Sequence, residues 1–150
     1  MEPSDRSANS ADRPNLMSVI LRGQCLCGAV SIRASASGRH VDACHCTMCR
    51  RWGGGPLLVV RCAEDMQLDG VEHVTRYRSS GWAERGFCSG CGTHLYFRLI
   101  GGGFLAISAG LVDVPADWRL TTEVFVEEQP AYYQFAGETR RLIGEGDMEG

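Results

Sequence analysis

The chain has 150 residues, 44% of them apolar and 22% charged, which is the composition of one compact domain large enough to build its own core. Its 15 basic and 18 acidic residues leave a net charge of −3, which offers no global attraction to nucleic acid or an anionic membrane. Every basic residue is arginine, so Schiff-base chemistry, a lysine general base and the phosphate-binding lysine of a P-loop are excluded.

Residues 1–18, MEPSDRSANSADRPNLMS, hold few large apolar side chains and cannot offset their ordering entropy by burial, so a disordered N-terminal tail is expected there. A single β domain over 19–137 and a polar C-terminal tail over 138–150 complete the expected organisation. No secretory leader is legible, and no apolar stretch approaches the roughly 18 residues of a membrane span, so the cytoplasm is the expected compartment.

From Val19 onward the apolar runs are short and broken by glycine. They are Val19–Leu21, Ala29–Ile32, Leu57–Val60, Val74–Tyr77, Leu95–Phe97, Phe104–Ile107 and Val124–Val126. Val30 and Ile32 alternate with Ser31 and Arg33, a period of two, and the runs are rich in β-branched and aromatic residues, so they read as strands. No segment carries an amphipathic helical pattern of 12 residues or more. The 19 glycines, nearly double the ordinary share, favour a turn-rich all-β domain. No internal repeat is present, and neither Gly53–Gly55 nor Gly101–Gly103 fits a nucleotide-binding loop.

Seven of the eight cysteines fall into three groups: Cys25 and Cys27; Cys44, Cys46 and Cys49; Cys88 and Cys91. Phe87-Cys88-Ser89-Gly90-Cys91-Gly92 is a glycine-rich knuckle in which two thiolates converge on one ion, and a structural zinc needs a second pair, for which Cys25 and Cys27 are the natural complement. Cys44, Cys46 and Cys49 would then share a second zinc whose fourth position is open to water, histidine or an incoming substrate. An open position separates catalytic from structural zinc, so the chemistry is expected at Cys44–Cys49. His45 or His94 is the alternative fourth ligand, which would make the second site structural as well.

Disulfides are the bland alternative, but C-x-C pairs are poorly placed to bridge internally. A thioredoxin-type redox centre would open a helix, and glycines surround this C-x-x-C instead. Cys62 reads as a buried small hydrophobe, and His40 and His73 as surface residues. Arg50 and Trp52, just after the cysteine triplet, are candidate substrate-binding residues: a guanidinium there offsets thiolate charge and can fork onto a substrate carboxylate. The competing reading makes them a solvated arginine and a core tryptophan.

Gly23-Gln24-Cys25-Leu26-Cys27-Gly28-Ala29-Val30, Ala43-Cys44-His45-Cys46-Thr47-Met48-Cys49-Arg50, Tyr77-Arg78-Ser79-Ser80 and Gly86-Phe87-Cys88-Ser89-Gly90-Cys91-Gly92 together strongly resemble the glutathione-dependent formaldehyde-activating enzyme family, which includes the centromere protein V branch. The match spans roughly residues 19–135. The resemblance implies an all-β fold of several coiled antiparallel sheets, a β-tent, with zinc-binding knuckles and two zinc ions per chain. Its structural zinc carries over to Cys25, Cys27, Cys88 and Cys91, and its catalytic zinc to Cys44, Cys46 and Cys49. The implied activity is that of a carbon–sulfur lyase interconverting S-hydroxymethylglutathione with glutathione and formaldehyde, so the implied partner is a small-molecule thiol.

Family members commonly have a His-Ile-Phe-like strand and then Pro-Trp, where this chain has Glu123-Val124-Phe125 and Ala131-Tyr132-Tyr133. If those positions face the substrate, charge and proton chemistry change there. For a proton donor, residue type alone offers His45, Tyr77 and Glu84. The rival function is a non-catalytic, zinc-stabilised protein-interaction module.

Overall fold

Six of the seven apolar runs fold as strands of two sheets, with the core between them; of the seventh, Val124 ends a strand, while Phe125 turns left-handed and Val126 opens a 3-10 turn. The computed structural model describes residues 18–146, so residues 1–17 of the expected N-terminal tail and 147–150 of the C-terminal one lie outside the described residues. A three-stranded antiparallel sheet takes the order β1 (Ile20–Gln24), β2 (Ser31–Ser35), β5 (Gln67–Asp69). The eight-stranded sheet runs β11 (Arg140–Arg141), β10 (Leu120–Val124), β3 (Val41–Cys44), β4 (Leu57–Cys62), β9 (Leu105–Ser108), β8 (His94–Leu99), β7 (Ala83–Cys88), β6 (Val74–Arg78). The fold is therefore all-β, as expected, with antiparallel pairing except where β10 lies parallel to β3 and to β11. The one α-helix among the described residues, α1 (Thr47–Gly53), is too short to show a period in sequence. No helix among them is long and apolar enough to cross a membrane.

Alternation along the central strands gives the large sheet two different faces. Val60 and Cys62 of β4, and Leu105 and Ile107 of β9, point into the core against Leu21 and Ile32 of the small sheet and Val30 just before β2. Each such side chain contributes roughly 1.5–3 kcal/mol by burial. Leu57 and Val59 of β4 and Ala106 of β9 point the other way and line a cavity. An uninterrupted apolar run such as Leu57-Leu58-Val59-Val60 is what a strand with work on both faces requires.

Beside that cavity, a buried polar network fixes the turn from β3 to α1. His45 is fully buried, its Nε2 lies 2.8 Å from Glu123 Oε1 and its Nδ1 lies 2.7 Å from the Tyr133 hydroxyl. The Tyr133 ring stacks on the imidazole at a centroid distance of 5.5 Å. Glu123, also buried, accepts from Thr139 Oγ1 at 2.5 Å and from Arg141 NH1 at 2.5 Å. Burial alone would raise the Glu123 carboxyl, but hydrogen bonds from Thr139 and His45 and the charge of Arg141 outweigh it and hold the group below its ordinary value.

Residues 138–146, read from sequence as the start of a polar tail, are thus tied to the sheet. Arg140–Arg141 forms β11, the Leu142 N–H donates to Glu123 O at 2.9 Å, and the Phe125 N–H donates to Gly144 O at 2.7 Å. The sequence gives little sign of this, because the segment is held by polar bonds to one buried carboxylate and by backbone pairing, not by apolar side chains of its own.

Glu123→Ala leaves His45 and Thr139 without their buried partner and is expected to cost about 3 kcal/mol in chemical denaturation. Because the folded-state carboxyl is depressed, its contribution is present above the ordinary glutamate value of 4.5 and is lost as pH falls through the lower folded value. Glu123→Gln should therefore flatten the acid limb of a stability–pH curve, and an acid limb unchanged in that variant would contradict the assignment.

Candidate metal centres and the adjoining cavity

The first sulfur group joins the two sheets. Cys25 and Cys27 sit in the β1–β2 turn, while Cys88 ends β7 and Cys91 lies in the β7–β8 turn. Both turns close through a glycine in the left-handed region, Gly28 at φ 83° and Gly92 at φ 79°, where a side chain would be strained. Backbone N–H groups point at sulfur: Val30 donates to Cys25 Sγ and Gly90 to Cys88 Sγ, each at 3.3 Å. Leu26 N–H donates to Thr93 Oγ1 at 3.0 Å, linking the two turns directly. Hydrogen bonds with Thr93, through its hydroxyl first and then its backbone, hold the Cys91 thiol down at about 5.

The sulfurs of this group all lie within 4.8 Å of one another, with Cys25 and Cys27 3.7 Å apart and Cys27 and Cys88 3.8 Å apart. Four thiolates bound tetrahedrally to zinc at about 2.3 Å stand about 3.8 Å apart, so the donor set fits that ion. Disulfides are excluded: all eight cysteines are free.

The second group is Cys44, Cys46 and Cys49, whose sulfurs also lie within 4.8 Å of one another. Cys44 ends β3, Cys46 caps α1 with its sulfur accepting the Cys49 N–H at 3.3 Å, and Cys49 sits one turn into the helix. Glu128 braces this turn from outside by accepting from the Thr47 N–H at 2.8 Å and from the Thr47 hydroxyl at 3.0 Å. The Cys46 thiol is drawn well below its usual value, by hydrogen bonds from Cys44 and Cys49 foremost, with the Cys49 N–H and the Arg85 charge acting in the same sense. Each of the two groups could hold a metal ion.

Neither histidine completes the second group. Both ring nitrogens of His45 are engaged by Glu123 and Tyr133, and His94 stacks on Trp52, with centroids 4.0 Å apart and planes 6° apart. Burial first, and the Arg85 charge second, lower the His94 pKa. Among the described residues the ligating set ends at three sulfurs.

A residue that sequence reasoning missed stands beside them. Arg85 is buried at 3% exposure, its NH1 donates to Cys49 Sγ at 3.5 Å, and its guanidinium lies over the Trp52 ring at 5.1 Å and the Phe97 ring at 5.0 Å. Strand β7, AERGFC, has no apolar run to advertise it, and its position became visible only through the pairing of Arg85 with Phe97 across β7 and β8.

The three sulfurs and Arg85 open on a cavity of about 330 Å³. Its walls are chiefly apolar, with Leu57, Val59, Phe97 and Phe104 among them, and the turn between β6 and β7 closes one side with Ser79, Ser80 and Trp82. Phe125, another lining residue, is held at φ 56°, a left-handed conformation costing an L-residue roughly 1–2 kcal/mol; such strain gathers at functional sites.

The sequence-derived candidates lie around this cavity as follows. Arg50 donates through Nε to His45 O at 3.0 Å and through NH2 to Thr47 Oγ1 at 3.3 Å, and Trp52 packs behind Arg85; neither is among the described lining residues. Tyr77 is exposed, and Glu84 accepts from Tyr96 and Arg98 at 2.9 and 3.1 Å, both away from the cavity. Glu123 faces His45 and not the cavity. Cys62 is a core residue whose thiol burial pushes up to about 12, and His40 and His73 are partly exposed.

Known proteins are similar to this chain over much of its length. An uncharacterized lyase of Schizosaccharomyces pombe is 34% identical over 118 residues, covering 78% of this chain and 86% of that protein. A Halomonas elongata protein provisionally named a glutathione-dependent formaldehyde-activating enzyme is 30% identical over 87 residues, covering 52% of this chain and 55% of that one. The crystal structure of a Rhodobacter sphaeroides protein shares the fold, with a TM-score of 0.56 at 22% identity over 67% of this chain and 99% of the other. The family model for glutathione-dependent formaldehyde-activating enzyme matches residues 20–128, and the chain belongs to that family.

Proposed function

We propose that this chain is a zinc-dependent carbon–sulfur lyase acting on a thiol–aldehyde adduct of the S-hydroxymethylglutathione kind, with a small-molecule thiol as its partner. The observation that carries the reading is a three-sulfur group, without a side chain as fourth ligand among the described residues, that opens on a cavity. Membership of a family described by this chemistry, and a relative named a lyase, support it. In this reading Cys25, Cys27, Cys88 and Cys91 hold a structural zinc, and Cys44, Cys46 and Cys49 a catalytic one. Zinc bound by three cysteines supplies a further position at which a thiol is favoured as its thiolate.

In the cleavage direction the adduct RS–CH₂–OH gives up its hydroxyl proton, the C–O bond becomes C=O, and the C–S bonding pair goes to sulfur. Sulfur then takes a proton, so the products are the free thiol and formaldehyde, with no oxidant or reductant consumed. The protein's own groups serve the sulfur end of this reaction. Arg85 keeps a fixed positive charge against Cys49, Trp52 holds the guanidinium in place, and Arg50 ties the His45 carbonyl to Thr47 and so holds the loop that carries the thiols. The apolar walls keep water from the reacting atoms, which strengthens the electrostatic contribution of Arg85.

Metal analysis is expected to give two zinc ions per chain. In a cobalt-substituted sample, added small thiols should change the visible d–d bands; a spectrum indifferent to every thiol would leave only the interaction-module reading. Replacement of one cysteine in each group separates their roles. Cys88→Ala should lower the Tm strongly because it unties the two sheets, whereas Cys46→Ala should abolish turnover and second-site metal with a smaller loss of Tm. Equal losses of Tm would contradict the division.

A further inference from the structure

A cavity of about 330 Å³ is far more than formaldehyde needs, since a molecule of that kind takes up little more than the roughly 30 Å³ of a water. Most of the space therefore belongs to the thiol. Strand register lays one row of lining side chains across its floor: Arg85 on β7 pairs with Phe97 on β8, Phe97 with Ala106 on β9, and Ala106 with Arg61 on β4. Neighbouring strands lie about 4.8 Å apart, so the backbones of the two arginines stand about 14 Å apart, with an aromatic ring and a methyl group between them.

The two ends of that row differ. Arg85 turns to the sulfurs, donating to Cys49 Sγ at 3.5 Å. Arg61 comes four residues after Leu57, the partner of Cys44, which puts it about 13 Å along β4 from the sulfur end. Its guanidinium lies over the Phe104 ring at 4.9 Å, and both residues line the cavity. Arg61 is half-buried, so its charge is screened less than that of a surface arginine. Asp42 feels that charge, but it is shared with His40, at 3.0 Å, and with Arg140, and it does not line the cavity. Glu145, the one acid among the described lining residues, belongs to the sulfur end: Gly144 O before it accepts the Phe125 N–H, and Val124 pairs with Cys44.

We propose that the thiol taken by this cavity has an apolar chain ending in a carboxylate, and that Arg61 binds that carboxylate. This deepens the lyase reading, because it names the R group of RS–CH₂–OH, and it rests on that reading. The cavity then matches the ligand part by part: sulfur at Cys44, Cys46 and Cys49, chain along Val59, Phe97 and Phe104, carboxylate at Arg61. The span leaves about 10 Å between sulfur and carboxylate, which about six to eight carbons cover at about 1.2 Å per bond. A guanidinium can rest on an aromatic ring and still offer its edge N–H groups to both carboxylate oxygens. A peptide thiol such as glutathione fits less well, because its amides would lose water against chiefly apolar walls.

The test is calorimetric titration of the zinc-loaded protein with ω-mercapto acids of two, three, six, eight and eleven carbons, each beside the ω-mercapto alcohol of the same length, and with glutathione. For wild type the acid should bind at least about tenfold more tightly than its alcohol at six or eight carbons, the size of one charge-assisted hydrogen bond, and nearly equally at two. Glutathione should bind more weakly than 6-mercaptohexanoate. Arg61→Gln should lose the preference for the acid while keeping its affinity for the alcohols, and Arg61→Lys should keep part of it. Arg98→Gln, which removes a positive charge away from the cavity, should keep all of it.

The proposal is overturned if wild type prefers no acid, if the preference is as large at two carbons as at eight, if glutathione binds more tightly than the six- and eight-carbon acids, if Arg61→Gln retains the preference, or if Arg98→Gln loses it too. The wild-type series decides the matter even where Arg61→Gln fails to fold. Failure of the lyase reading alone looks different: no hydroxymethyl adduct is turned over, while the acid preference and its loss in Arg61→Gln persist.

Discussion

Crowded sulfur is the constraint to which the rest of this structure answers. Thiolates about 4 Å apart repel by roughly 4 kcal/mol per pair at an effective dielectric of 20, so seven sulfurs drawn into two tight groups require positive charge among them. In the first group, backbone N–H groups of Val30 and Gly90 aim at the sulfurs, and the donor set has the count and spacing of a closed tetrahedron. In the second, three sulfurs meet a buried guanidinium. The two groups differ in what they would leave for chemistry: four sulfurs could complete the shell of a metal ion from the protein, whereas three would leave it incomplete beside a space large enough for a small molecule.

The large sheet keeps these two tasks apart. One of its faces is packed against the small sheet and tied to it by the first sulfur group, so it carries stability. The opposite face of the same central strands floors the cavity, where replaceable apolar contacts and a few polar atoms suffice. The strained Phe125 belongs to the cavity side. Unfavourable local features of this kind are tolerated because the packing on the other face holds the backbone regardless.

The strands made of apolar runs and both sulfur groupings were legible in the sequence, because burial and metal ligation impose patterns over a few adjacent residues. What escaped is held from a distance. Strand β7 and its Arg85 are defined by neighbours across the sheet, β11 by a single buried carboxylate, and α1 by seven residues too few to show a period. Glu123 and Tyr133 were noted as departures from the family pattern at positions that could face the substrate. They are instead the two partners of His45: a buried imidazole needs both ring nitrogens satisfied, and Glu123 and the Tyr133 hydroxyl do so here. Their effect on the site is exerted through the shape of the Cys44–Cys46 turn.

The all-arginine composition acquires a local meaning at Arg85. A lysine buried among Trp52, Phe97 and Cys49 would be desolvated on its stem and free to lose its proton, so its charge beside the sulfurs would depend on occupancy of the cavity. A guanidinium cannot be deprotonated under ordinary conditions, and its flat face lies against the two aromatic rings while an edge N–H reaches sulfur. The positive charge is thereby constant whether the cavity is empty or holds a thiolate. The proposed lyase, which would alternately bind and release an anionic sulfur, needs that constancy, because otherwise each release would also have to move a proton onto or off the protein.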